Sequence, residues 1–279
     1  MQKWLILPVL GFSCLAMTLA AGVRQHLGDR VDVEGHALRI LKCGQGSPTV
    51  VFESGAHGPL ESWSRVQPEV SRFTTTFSYD RAGNGRSEAG PEPRDAREVA
   101  RELHAALQTA HVAPPYILVG HSLGGPFIRV FAGIYPGEVA GMVLVDPSQE
   151  ELFDWQLAHD PNRPAPAAER RLRLDNEVEC APTSLAQAHQ SRMPEGVPVT
   201  LITGMARGYA PAEMEESIKA VWAAKLKFHT AWVQQIPNAQ HIVTEKSGHL
   251  VPYEEPELVI NAIRRVVESA RNGKTLPGP

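Results

Sequence analysis

Residues 116–127 read YILVGHSLGGPF. Tyr116 to Val119 form a short apolar run, as expected of a strand buried on both faces. Gly120 to Gly124 then turn sharply, and FIRVFAGIYP (127–136) continues in a helical pattern. Strand, tight turn and helix match the nucleophile elbow G-x-S-x-G, written here as G-H-S-L-G. The glycines on either side of Ser122 leave room for the adjacent chain. The serine hydroxyl then stands free at the strand's carboxyl end, beside a helix N-terminus whose dipole favours developing negative charge. The Leu123 amide points to where an oxyanion would form. A strand-to-helix turn with no chemical role is the competing reading of the pentapeptide, and the flanking elements argue against it.

Outward from this turn, similar runs recur: TVVFES (49–54), TTTFSYD (74–80), GMVLVD (141–146), VPVTLIT (197–203) and AQHIVTE (239–245). Between them lie helical patterns at 93–112, 212–236 and 256–270. The first places Val99, Leu103, Leu107 and Ala110 on one face, with charges opposite. VDVEGHALRILKCGQG (31–46) alternates like a hairpin. Strands alternating with helices predict an α/β fold with a mostly parallel central sheet covered on both sides. Residues 149–196 hold no convincing strand and are rich in charge, Ala and Pro. They predict a small helical insertion after the sixth strand, beyond the carboxyl ends where such sheets bind ligands. It reads as a lid, with a surface decoration as the alternative. Leu152, Phe153, Trp155 and Leu157 would line the site or pack the lid's own core.

A serine hydroxyl needs a base within reach. In this architecture the chain order is serine, acid, histidine. His249, in KSGHLVPYEEP after the last strand, is the expected base. His241 lies inside a strand and is expected to pack, and His121 to line the pocket or pack. The acid would usually follow VPVTLIT, but no aspartate occurs after Asp175. Asp146, at the end of GMVLVD, is favoured, with Glu213, Glu215 or Glu216 as alternatives. A second oxyanion donor belongs in the loop SGAHGPLESW. Position assigns it to the Ala56 amide, with His57 as the alternative.

The 279 residues, 43% hydrophobic and 21% charged with net charge −4, fit one large domain with a real core. No basic stripe appears, so no nucleic-acid partner is expected. MQKWLILPVLGFSCLAMTLAAG (1–22) has the layout of a secretory signal: Lys3, an apolar run, then small residues. A retained membrane anchor is the alternative, and either implies an exported or membrane-anchored protein. Cys14 belongs to that segment. Cys43 and Cys180 could pair in an oxidising compartment, but their spacing does not say whether they meet. With no matched histidine pattern they make a poor metal site, so no metal or cofactor is expected. The domain reading is 1–22 leader, 23–148 and 197–272 core, 149–196 lid, and 273–279 disordered tail.

These segments together resemble the α/β-hydrolase superfamily, in its lid-containing serine esterase or lipase-like group, over nearly all of 31–272. SGAHGPLESWSRVQPEV (54–70) is similar to the family's His-Gly oxyanion loop followed by a tryptophan, with Ser54 where histidine is usual. YDRAGNGRSE (79–88) resembles the Asp-Arg-x-Gly-x-Gly-x-Ser segment, in which Asp80 and Arg81 would buttress the active-site loops. GHSLGG and SGHL are similar to the nucleophile and histidine motifs. The resemblance implies attack by Ser122 on a small-molecule carboxylic ester and an acyl-enzyme. The same triad acting on an amide or a carbon–carbon bond, or as a perhydrolase, and a non-catalytic ligand-binding relative, are the rival readings.

Overall fold

The computed structural model describes residues 28–159, 176–206 and 215–276. The leader 1–22 lies outside these residues. Eight strands form one sheet: β1 (Asp29–Val33), β2 (His36–Cys43), β3 (Thr49–Glu53), β4 (Thr76–Tyr79), β5 (Tyr116–His121), β6 (Val139–Val145), β7 (Val199–Gly204) and β8 (Ala239–Thr244). Their spatial order is β1-β2-β4-β3-β5-β6-β7-β8. β2 runs antiparallel to β1 and β4, and all other pairs are parallel. Every strand anticipated from the apolar runs is present.

Helices cover both faces: α1 (Gln67–Val70), α2 (Ala96–Thr109), α3 (Gly124–Ile134), α4 (Glu150–His159), α5 (Ala181–Gln190), α6 (Glu215–Val233), α7 (Val251–Glu254) and α8 (Pro256–Asn272). Asp95 caps α2 by accepting from the Arg97 and Glu98 amides. The central strands send alternate side chains into two cores. Val51, Leu118, Met142 and Leu144 pack with α2 and α3. Val50, Phe52, Ile117, Val119, Val143 and Val145 pack against Trp63 and the α8 stripe Val259, Ile260, Ile263, Val266 and Val267. Those stripe residues are fully buried or nearly so, and each contributes about 1.5–3 kcal/mol. Period-two alternation with no solvated face is why these strands read as unbroken apolar runs.

Within the insert, α4 and α5 are described and 160–175 are not. Two charged contacts fasten the described parts. Arg129 of α3 pairs with Glu150 of α4 and donates to the Ala188 carbonyl of α5. Arg81, after β4, pairs with Glu177. Leu152 is buried, while Trp155 stacks on His159 within α4. Of the stretch 273–279, read from the sequence as a disordered tail, residues 277–279 lie outside the described residues, and Leu276 is buried in the α8-side core with its amide donating to Asn238. Cys43 and Cys180 are not joined in a disulfide. Among the described residues no helix is long and apolar enough to cross a membrane, and no cluster of acidic, His or Cys side chains is placed to hold a metal.

Arg94, Glu102 and His36 form a second buried network. Glu102 is fully buried and accepts from both Arg94 terminal nitrogens (3.0 and 2.8 Å), with His36 Nε2 2.9 Å away. Glu102→Ala would strand a buried guanidinium, and such breaks cost about 3–5 kcal/mol. Urea denaturation should register a loss of that size; a loss below about 1 kcal/mol would contradict this assignment of the network.

Candidate active site

β5, β6 and β7 end nearly in step, and the chain leaves them tied by hydrogen bonds. The Ser122 amide donates to the Val145 carbonyl (3.2 Å), and the Asp146 amide to that of Ile202 (2.7 Å). Ser122 and Asp146 both take left-handed backbone conformations, with φ of 53° and 41°. Non-glycine residues pay for this region, so strain is concentrated at these two strand ends. Behind Ser122, Gly124 opens α3. A Cβ there would stand 2.4 Å from the Glu53 carbonyl oxygen, so only glycine lets the helix start this close to the end of β3.

The loop after β8 supplies the histidine. Glu254 accepts from the Gly248 amide (2.7 Å) and Glu255 from the Ser247 hydroxyl (2.7 Å), which pins the loop to α7 and its end. His249 Nε2 lies 2.9 Å from Ser122 Oγ, and His249 Nδ1 lies 2.7 Å from Asp146 Oδ2. The carboxylate can only accept, so Nδ1 carries the proton and Nε2 is left to accept from the serine. The His249 side chain is 55% exposed, while Asp146 is buried. The imidazole therefore faces solvent and the carboxylate stands behind it.

Asp146 has two further partners. The Gly204 amide donates to Oδ1 (3.0 Å), and Lys225 Nζ lies 3.0 and 3.1 Å from the two oxygens. Burial would push this carboxyl up, but the His249 hydrogen bond and the Lys225 charge hold it below its ordinary value. Of the alternative acids, Glu216 is exposed and pairs with Lys219. Glu213 lies outside the described residues, as does the side chain of Glu215.

The loop after β3 turns at Gly55–Gly58, closed by the Gly58 amide on the Gly55 carbonyl (3.0 Å). It abuts the serine: a Cβ on Gly55 would stand 3.2 Å from that of Ser122. The His57 amide, one of the two oxyanion donors considered, is already given to Glu177 (2.5 Å). The Ala56 and Leu123 amides have no such partner among the described residues. Ser54 donates to the Pro59 carbonyl within the turn, where the family pattern has histidine. Asp80 accepts from the Leu60 and Arg86 amides (2.7 and 2.8 Å), joining the two loops beside the site.

His121 and His241 both pack. His121 Nε2 donates to the His249 carbonyl (2.7 Å), and burial, then the neighbouring His249, lowers its pKa to about 4. His241 Nε2 reaches Thr203 Oγ1 (2.8 Å). Thr203 also meets His229 Nδ1 (2.8 Å), whose Nε2 faces the Pro147 carbonyl (3.1 Å). Burial lowers His229 to about 4 as well. Two residues escaped the sequence reading. Lys225 and Lys227 lie two apart on α6 and so on opposite faces, one buried and one exposed, but the mixed pattern of the helix does not say which face turns inward. Glu177 lies in a charge-rich stretch with nothing in its neighbours to mark it.

The family model for the alpha/beta hydrolase fold matches residues 48–177. With the eight-stranded, mostly parallel sheet, the match shows that the chain has the α/β-hydrolase fold. The chain is 27% identical over 225 residues to YqjL of Bacillus subtilis (strain 168), covering 79% of this chain and 83% of that one. Two solved structures are similar to it. The lipase lip1 of Acinetobacter baumannii AYE, called putative, has a TM-score of 0.58 and 18% identity, with 88% and 92% of the two chains covered. A thermophilic esterase from Thermogutta terrifontis also scores 0.58 at 18% identity, with 87% and 98% covered. At this identity the structural likeness speaks to the fold of this chain.

The buried histidines set a pH response. His121 and His229 stay neutral when folded, to about pH 4, but protonate near pH 6.5 when unfolded. Between these values the unfolded state binds more protons, so stability is fully present above about pH 6.5 and lost as pH falls toward 4. Each group contributes a slope of up to about 1.4 kcal/mol per pH unit. Urea midpoints from pH 4.5 to 7.5 should fall toward acid, and His229→Gln should make that fall shallower. An unchanged slope in the variant would contradict the neutral assignment.

Proposed function

We propose that this chain is a serine esterase that cleaves a small carboxylic ester through Ser122, His249 and Asp146. The contact that carries the reading is the 2.9 Å approach of His249 Nε2 to Ser122 Oγ, backed by the 2.7 Å approach of Asp146 to Nδ1. Ser122 Oγ attacks the ester carbonyl while His249 Nε2 takes its proton. Asp146 holds the tautomer and stabilises the imidazolium. The carbonyl π pair becomes an oxyanion, received by the Leu123 and Ala56 amides. Collapse expels the alkoxide, which takes the proton from His249 and leaves an acyl-serine. Water attacks that ester with His249 again as base, releasing the acid and restoring Ser122. Esterase and lipase descriptions among the structural neighbours support the same bond class.

The insert over the strand ends is proposed to act as the lid that selects the acyl group, with exposed Leu250 and Tyr253 flanking the histidine at its rim. Segment 1–22 is proposed to direct export or to hold the enzyme at a membrane; N-terminal sequencing of the mature protein separates the two. A fluorophosphonate probe should label Ser122, and aryl esters should turn over well ahead of matching amides. Ser122→Ala should lower kcat by about 10⁴-fold or more, and Asp146→Asn by a comparable order. Glu216→Gln should leave it unchanged. Full ester turnover in Ser122→Ala, or loss confined to Glu216→Gln, would defeat the assignment.

A further inference from the structure

We propose that Glu177, carried by the insert, is the positioning residue for the oxyanion amide, so that the catalytic site is complete only with the insert docked. The inference rests on the serine-esterase reading and assigns one of its parts to the lid.

Glu177 is 3% exposed and both its oxygens are in use. Oε1 accepts from the His57 amide (2.5 Å) and Arg81 Nη2 (2.6 Å). Oε2 accepts from Arg81 Nε (2.7 Å) and Asn84 Nδ2 (3.0 Å). Arg81 spends its other donors on the same corner. Nη1 goes to Glu53 Oε1 (2.5 Å) and the Ser54 carbonyl (2.8 Å), and Nη2 also to the Gly55 carbonyl (2.6 Å). All five N–H groups of a guanidinium are thus satisfied. Burial alone would push the Glu177 carboxyl up, but the Arg81 charge and hydrogen bonds hold it below its ordinary value. The clamp is ionic, and a bidentate pair of this kind fixes orientation as well as distance.

The geometry of the turn converts that clamp into an aimed donor. Across a planar trans peptide the C=O and the next N–H point in opposite directions. The Gly55 carbonyl is held by Arg81 and by the Gly58 amide. The Ala56 N–H must then point away from them, with Gly55 itself packed against Ser122. The next peptide is held from its other end, because His57 gives its N–H to Glu177. His57 sits at φ 52°, a left-handed conformation, and such strain persists only where the surroundings over-determine it. Glu177 supplies that restraint from 120 residues away. Without it the turn is free to relax, and the Ala56 amide loses its aim.

The test compares wild type, Glu177→Gln and Asn84→Ala on one aryl ester. Gln can keep one oxygen toward the His57 amide and Arg81 Nη2, but its NH2 then faces the Arg81 Nε and Asn84 Nδ2 donors, so the forked ion pair that fixes the turn is lost. Removing an oxyanion donor outright costs about 10²–10³ in kcat. Losing its aim should cost Glu177→Gln about 10–100-fold, with KM within about threefold. Affinity for a trifluoromethyl ketone, which forms a tetrahedral adduct on serine, should fall by the factor seen in kcat. Affinity for the carboxylic acid product should hold. Adding His57→Gly, which accepts the left-handed conformation without restraint, should restore part of kcat. Asn84→Ala removes the outer support of Glu177, together with a contact to His57 Nδ1 (3.2 Å), and should give the same split in weaker form. If Glu177→Gln does not fold, Asn84→Ala decides. Unchanged kcat, or equal weakening of ketone and product, overturns the proposal. Wild type without Ser122-dependent turnover overturns the esterase reading and this inference with it; normal wild-type turnover with an indifferent Glu177→Gln overturns this inference alone.

Discussion

The parallel ladder from β5 through β6 to β7 sets every distance in the site. Its hydrogen bonds continue one residue past the strand ends, through the Ser122 and Asp146 amides. Each of those residues then turns into a left-handed conformation that lifts its side chain off the edge of the sheet. Two side chains 24 positions apart in sequence thereby come to serve one imidazole. The cost is strain at two non-glycine residues, of order 1–3 kcal/mol each. Two fully packed faces of the sheet supply the stability that holds it.

Much of this arrangement was legible because it is local. Unbroken apolar runs gave the strands, and the glycine spacing around Ser122 gave the elbow. His249 followed from chain order, and Asp146 from its place at a strand end and the lack of any aspartate after β7. What could not be read depends on contacts between distant segments. The choice between the Ala56 and His57 amides turns on Glu177, whose neighbours in sequence carry no signal. Lys225 behind Asp146 and exposed Lys227 sit on opposite faces of α6, and only the packing says which face is inward. Leu276 belongs to the core through packing against α8 and a bond to Asn238, contacts that a terminal RNGKTLPGP does not announce.

Charge inside this molecule is organised around fastening. Arg81 and Arg129 each reach from the sheet's carboxyl end into the insert, and each meets a glutamate there. Buried pairs of this kind contribute little net stability against an apolar substitute, since desolvation offsets attraction. What they supply is position: an apolar contact would tolerate sliding where a forked guanidinium does not. Lys225 has the same character. It meets both oxygens of Asp146 and the Gly204 carbonyl, so the carboxylate is held on two sides before the imidazole reaches it.

Gly204 closes β7, the strand after which the chain order of such sites would place an acid. A Cβ on it would lie 1.9 Å from the Gly248 carbonyl oxygen, inside the histidine loop's own backbone. The loop has moved into the room that any side chain at that strand end would need. Any side chain at position 204 would have to evict the segment that carries His249. Main-chain atoms, which no substitution elsewhere can trim, thus reserve that strand end for glycine.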